Sequence, residues 1–361
     1  MTDPLHSEYM DAREAAARLG YTVQHTRFLL REGRLPGLKF GRDWLVPRSA
    51  VEAQVTDSGT AKAEKQTEGG LSTQGEDDYQ PRNLIRAVNV SQVPQRSPFR
   101  YPGGKTWLVP LVRSWLRSLG APIAELFEPF AGGGIVSLTA VFEGLANRAT
   151  MVELDEDVAA VWTTILGGNG TWLAQRVLAF EPTHRGLQSL FCTTPASVEE
   201  RAFVTLVRNR VARGGILAPG AGIVKHGENR KGVTSRWYPQ TLSRRILAIA
   251  HRRQQIRFIC GDGMRVLGDN AHRAECAWFI DPPYTVAGRR LYRYSEVEHD
   301  RLFRLARGLA GDFLITYDDA PEIRYLARKH RLDTRVVSMT TTHHRAKREL
   351  LIGRSLQWLA D

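Results

Sequence analysis

Cysteine is almost absent. The 361 residues hold three, Cys192, Cys260 and Cys276, far apart and with neither a CxxC pair nor a Cys/His cluster around them. That spacing excludes a short zinc motif, and the odd count argues against a disulfide framework. No metal is expected. Long apolar runs are missing too. None reaches the ~20 residues that cross a bilayer, and the opening MTDPLHSEYM carries no basic-then-apolar leader. No membrane partner is expected, and the chain is expected to act in the cytoplasm, associated with the nucleoid. A third absence is local. Between Arg201 and Arg257 stand 13 Lys or Arg and a single acid, Glu228, a net +12 that equals the excess of the whole chain.

What is present is ordinary globular material, 42% hydrophobic, in three blocks. Residues 1–55 contain a small helical domain with a strand-like tail. Residues 56–96 are rich in Gly, Ser, Thr, Gln, Asp and Glu and nearly free of apolar clusters, which is the composition of a flexible linker. Residues 97–361 form the large domain. Its basic window, interleaved with Trp237 and Tyr238, points to a polyanion such as nucleic acid. A solvated basic face is the other reading.

In the first block Asp11 can cap a helix over 13–19, which Gly20 stops. A second helix is expected over 23–32, with Val23, Phe28, Leu29 and Leu30 on its apolar face, ended by Gly33. Residues 35–47 read as a short hairpin. Two short helices joined by a tight turn suit a helix-turn-helix, whose second helix enters the major groove. The pattern EAA…LG…G.LP..K.GR.W.VP resembles the excisionase or MerR-like winged helix family over about 45 residues. That resemblance implies DNA contacts from Gln24, His25, Arg27 and Arg31. A purely structural or protein-contact module is the alternative.

The large domain alternates strand and helix patterns. Strands are expected at 123–130, 150–154, 277–280, 313–317, 336–339 and 350–353, with helices at about 105–119 and 135–144. Such alternation predicts an α/β fold with an open, mostly parallel sheet. Ligands of such sheets bind beyond the carboxyl ends of the strands.

Four segments carry chemistry. Residues 128–134, EPFAGGG, follow a strand and open a helix, where glycine lets backbone approach a ligand. Nucleotide-binding folds of many kinds share such a turn. Glu153 ends the next strand, about 20 residues on, a spacing that suits the two ribose hydroxyls of a nucleoside cofactor. Asp281-Pro282-Pro283-Tyr284 follows the buried run AWFI. Two prolines fix the backbone and remove two N–H donors. Asp281 and the Pro282 carbonyl can then both accept from an amino group, and Tyr284 can stack on a flipped base. The last segment, FRYPGGK (99–105), sets Lys105 at a helix start within reach of an anionic ligand, with Tyr101 beside it. Alone it reads as a loop with a lysine.

In this order, FRYPGGK, EPFAGGG and DPPY resemble the Dam-like class of DNA adenine-N6 methyltransferases, over roughly residues 97–355. The resemblance implies a Rossmann-like methyltransferase sheet and S-adenosyl-L-methionine as cofactor. It implies cofactor contacts from Tyr101, Lys105, Phe130, Gly132, Gly134, Glu153 and Asp281. Asp262 is a weaker candidate for the cofactor adenine. Catalysis falls to Asp281, Pro282, Pro283 and Tyr284, by direct in-line transfer to N6 of an adenine flipped from double-stranded DNA. Asp at 281 is the adenine-specific choice, where cytosine-N4 enzymes have Ser and glutamine-modifying enzymes Asn. The stretch 170–257 occupies the place of the target-recognition region, which makes Arg208, Arg210, Arg213, Arg230, Lys231, Arg236 and Trp237 its DNA-contacting candidates. A restriction endonuclease is a partner the resemblance admits. Two rivals stay open: a methyltransferase acting on RNA or protein, and a DNA-binding regulator whose methylase domain is inactive.

Overall fold

The computed structural model describes residues 9–21, 23, 26, 29–30, 35–40, 43–52, 84–86, 93–100, 104–218, 220–224, 227, 232–283, 297–340 and 346–359. The chain divides into two units, Met1–Tyr79 and Gln80–Asp361. Among the described residues no helix is long and apolar enough to cross a membrane.

In the first unit, strand β1 (Tyr9–Asp11) leads into helix α1 (Ala12–Leu19). The Asp11 carboxylate accepts from the backbone N–H groups of Arg13 and Glu14 at 2.7 and 2.8 Å. It thus satisfies two of the donors a helix start leaves open. Gly20 closes the helix in the left-handed region, φ 67°, where glycine carries no steric penalty. Strands β2 (Leu38–Phe40) and β3 (Asp43–Pro47) pair antiparallel as the expected hairpin. The sheet gains β1 on the far side of β3, in the order β1-β3-β2. Met10, Ala12, Ala15, Leu29, Leu30, Leu35, Val46 and Val51 form its core. Most of the expected second helix, with Gln24, His25, Arg27 and Arg31, lies outside the described residues.

The second unit begins with β4 (Leu84–Arg86), a three-residue strand parallel to Val336–Ser338. The linker reading of 56–96 does not foresee this strand, because three residues are too few to show periodicity. A short 3-10 turn from Lys105 then feeds α2 (Val109–Ser118). The chain continues through β5 (Ile123–Glu128), α3 (Ile135–Phe142), β6 (Ala146–Glu153) and α4 (Glu156–Thr164). Among the described residues four α-helices follow before the next strand: α5 (Gly170–Ala179), α6 (His184–Cys192), α7 (Val198–Val211) and α8 (Pro239–His251). The basic window lies in this helical insertion. The sheet resumes with β7 (Ile256–Cys260), α9 (Gly263–Asp269), β8 (Cys276–Ile280), α10 (His299–Arg307) and β9 (Asp312–Asp318). Helix α11 (Pro321–Lys329), β10 (Asp333–Thr340) and β11 (Ala346–Gly353) complete it.

The eight strands run in the order β4-β10-β11-β9-β8-β5-β6-β7. All neighbours are parallel except those of β11, which is antiparallel to β9 and β10. Alternation across the pleat explains the strand sequences. On β8, Ala277 and Phe279 pack on one face with α2 and α3, while Cys276, Trp278 and Ile280 pack on the other with α9 and α10. A strand covered on both faces reads as one apolar run, as CAWFI does. The order reverses between β5 and β8: from β5 the chain runs outward to β6 and β7, then returns to β8. A cleft opens there, beyond the carboxyl ends, as the topology of such sheets requires.

Candidate active-site cleft

Residues 128–134 connect β5 to α3 and form one wall. Ala131 donates its N–H to the Val152 carbonyl at 2.9 Å, and Gly134 donates to the Ala131 carbonyl at 2.7 Å. The Trp162 indole N–H donates to the Gly132 carbonyl at 2.9 Å. Gly134 has φ 61° and starts α3. A Cβ there would lie 2.9 Å from the Met151 sulfur and 3.1 Å from the Trp162 ring, so both conformation and space require glycine.

Glu153, at the end of β6, braces this turn. One carboxylate oxygen accepts from Gly132 N–H and the other from Asp155 N–H, both at 2.9 Å. Burial pushes its carboxyl up to about 7, against the pull of those hydrogen bonds. Across the turn, Asp262 caps α9 by accepting from Met264 N–H at 2.8 Å. Gly263 follows it, with a missing side chain that lets α9 start against the Pro129 carbonyl.

Asp281 leaves β8 on the opposite wall. One oxygen accepts from the Thr316 hydroxyl at 2.7 Å, and the other pairs with the Lys105 ammonium at 2.9 Å. Lys105 is 3% exposed and lies 3.7 Å from Glu349, itself 1% exposed. Burial opposes the charge on Lys105, but Asp281 and Glu349 hold its pKa above the ordinary lysine range. Burial likewise raises Asp281, with Lys105 pulling the other way. The sequence-based expectation set Lys105 within reach of an anionic ligand. In the structure two carboxylates of the chain itself occupy it.

The cleft between these walls measures about 400 Å³, within the range of small-molecule sites. Phe130, Gly132, Gly134, Glu153, Asp262, Lys105, Asp281 and Pro283 all line it. Pro282 is buried beside them. Tyr101 and Tyr284 lie outside the described residues, as do Arg230 and Lys231.

The basic candidates separate. Arg213 is exposed, and Arg208 and Arg236 are partly so, with the Arg208 guanidinium 5.0 Å from the Phe191 ring centre. Arg210 and Trp237, two of the expected DNA-contacting residues, are buried. Arg210 is 7% exposed and donates to the Pro98 carbonyl. Trp237 is 8% exposed, donates its indole N–H to the Phe180 carbonyl at 3.0 Å and meets that ring edge-on. A long or aromatic side chain at a helix end is drawn inward when a carbonyl there needs a donor.

Sequence reasoning gave no role to Glu128, Thr316 or Glu349. Thr316 is a lone polar residue inside the apolar run of β9, and such a residue in a buried strand is the signal it offers; Glu349 closes the charged run Lys347-Arg348-Glu349 and offers no such signal. Glu128 is 3% exposed, lines the cleft and accepts from Ser137 N–H at 2.9 Å. Burial raises its carboxyl to about 7, opposed by bonds from Ser137, with Asp281 adding to the rise. The folded chain therefore keeps a proton that the unfolded chain loses near 4.5. The contribution of Glu128 to stability is fully present below that pH and is lost as pH climbs from 4.5 through about 7. Glu128→Gln keeps the acceptor for Ser137 and should flatten part of this slope, leaving the share from Glu153. Urea midpoints between pH 4.5 and 8 check this, and an unchanged slope in the variant would refute it.

Residues 9–55 match the helix-turn-helix domain family. No curated protein sequence matches the chain. Among solved structures, the chain is similar to a Pyrococcus horikoshii protein provisionally assigned as an RNA methyltransferase, at 10% identity and a TM-score of 0.35, covering 73% of this chain and 92% of that one. It is also similar to an O-methyltransferase family protein from Burkholderia thailandensis, at 10% identity and a TM-score of 0.29, covering 96% of this chain and 88% of that one. The molecule thus joins an α/β unit with a mostly parallel central sheet to an N-terminal helix-turn-helix domain.

Proposed function

We propose that the large unit is an S-adenosyl-L-methionine-dependent methyltransferase acting on the N6 amine of adenine in DNA. One observation carries this reading: Asp281 and Pro283 face the same cleft as the glycine turn and Glu153, at the reversal point of the sheet. The donor set fits the cofactor. Each Glu153 oxygen accepts one backbone N–H and keeps a lone-pair site for a ribose hydroxyl. Gly132, Gly133 and Gly134 line the cleft with no side chain between their backbone and a bound neighbour. When bound, the cofactor supplies an electrophilic methyl group on a sulfonium.

The chain's own residues then have defined tasks. Thr316 and Lys105 each hold one oxygen of Asp281, so the carboxylate is fixed in orientation. Its remaining lone pairs accept one hydrogen of the target amine, and the Pro282 carbonyl accepts the other. Drawing both hydrogens from the ring plane localises the nitrogen lone pair. Positioning supplies most of the acceleration. Asp281 need not be a strong base, because the surplus proton can leave to water after transfer. The adenine must leave the duplex to reach this depth, and Tyr284 is assigned to stack on it. The helix-turn-helix match favours DNA over RNA as the polynucleotide.

Incubating the protein with cofactor labelled in its methyl group and with duplex DNA of varied sequence tests the proposal. Label on adenine, located by modified-base sequencing, is the expected result. Label appearing only in RNA would refute the DNA assignment, and none in either would favour a regulator without activity. Removing residues 1–79 leaves β4 in the sheet, so transfer should stay measurable while DNA affinity weakens. Loss of cofactor binding in that truncation would contradict the two-unit organisation.

A further inference from the structure

The cleft has a second charged end that catalysis, as proposed above, leaves unused. Arg245 of α8 donates to the Ser97 carbonyl at 3.1 Å, and Arg210 of α7 donates to the next carbonyl, Pro98. Two guanidiniums therefore sit one peptide unit apart. Arg100 follows on the same segment, and its backbone is clamped by Asn209. The Asn209 side chain accepts from Arg100 N–H at 2.8 Å and donates to the Arg100 carbonyl at 3.0 Å and the Gly215 carbonyl at 2.8 Å. Gly215, φ 75°, has no room for a Cβ against the Arg100 carbonyl. Arg100 and Arg245 line the cleft with Ser97, Phe99 and Gly215, and Asp281 lines it too.

Two other partly buried arginines of this unit are neutralised: Arg113 pairs with Glu143 at 2.6 Å and Arg273 with Glu125 at 2.7 Å. Among the described residues no carboxylate pairs with Arg100, Arg210 or Arg245. Arg210 is 7% exposed, and its Nε has no hydrogen-bond partner among those residues. Burial lowers all three pKa values, and repulsion from Arg245 and Arg100 adds to the fall at Arg210, to about 10. Gathering cations away from water without counter-charge is unfavourable, and an arriving anion offsets it. The planar guanidinium fork matches phosphate oxygens better than it matches any neutral group.

We infer that Arg100 and Arg245, backed by the buried Arg210, form an anion site at the arginine end of the cleft, which takes a backbone phosphate of the DNA strand whose base enters. This rests on the nucleic-acid methyltransferase reading. Such a site would hold the strand beside the everted nucleotide and align its base with Asp281.

Arg100→Gln tests it cleanly, because the Arg100 side chain makes no hydrogen bond among the described residues and its removal leaves the Asn209 clamp in place. DNA affinity of the full chain, measured across salt concentrations, should weaken about tenfold at low salt, with a log–log salt slope shallower by about 0.9, the value for one lost phosphate contact. Arg245→Gln should move the same way. Cofactor affinity should stay within about twofold in both. Unchanged DNA affinity and slope in both variants would overturn the inference. So would lost cofactor affinity with intact DNA binding, since the anion would then be the cofactor's carboxylate. If the unmodified protein shows no salt-dependent DNA binding, the methyltransferase reading fails and this inference with it. If it binds and methylates while the variants match it, only the anion site is refuted.

Discussion

Asp281→Asn is expected to lower methyl transfer roughly 10³-fold while cofactor affinity stays within a few-fold, the scale set by removing a positioned acceptor at a reacting group. The Asn oxygen can still accept from Thr316, which now reaches Asp281 at 2.7 Å. Its amide nitrogen, however, would face the Lys105 ammonium at the place of the present 2.9 Å ion pair. Two donors would then oppose each other, and neither could accept a hydrogen from the target amine. Lys105, 3% exposed, would lose its nearer counter-charge, with Glu349 at 3.7 Å. Asp281→Ala should lose as much activity and destabilise more, because a buried cation is left short of a partner. Single-turnover transfer of labelled methyl to DNA measures the loss, and calorimetric cofactor binding shows whether the cleft survives. Activity within tenfold of the parent in folded Asp281→Asn protein would end the catalytic assignment.

Gly263→Ala is expected to destabilise the large unit by about 1–3 kcal/mol and to weaken cofactor binding. The added methyl would overlap the Pro129 carbonyl, which is backbone and has no rotamer to yield. Relief requires α9 to move away from the β5 turn, and that shift would carry Asp262 and widen the cleft wall. Gly268→Ala in the same helix is the internal control. Its Cβ would meet only the end of the Leu305 side chain, at 3.9 Å. Replacing glycine within a helix by alanine there should be neutral or stabilising by up to about 1 kcal/mol. Thermal melts of the two variants side by side give the answer. A Gly263→Ala midpoint equal to that of the parent would show that the contact yields more easily than its geometry implies.

The legible parts of this protein share a physical character. α1 was readable because Asp11 and Gly20 act within a few residues of themselves, through a cap and a left-handed turn. Strand β8 was readable because burial on both faces leaves an unbroken apolar run. β7, with the pattern IRFIC, was not marked, because Arg257 interrupts it and the strand lies at the sheet edge. β4 was invisible because its pairing with β10 joins residues some 250 positions apart and no local pattern announces it.

The site divides along the same line. Local sequence was enough to set which groups stand at the strand ends: the glycine turn, Glu153 and Asp281-Pro282-Pro283, because each is fixed by its own strand and the bend after it. Tertiary structure alone decided what surrounds them. It made Lys105 the partner of Asp281 and Glu349. It buried Arg210 and Trp237, and it brought Arg100 and Arg245, 145 positions apart, to one end of one cleft. Charge pairing and burial depend on which distant segments the fold brings together, and composition counts charges without placing them.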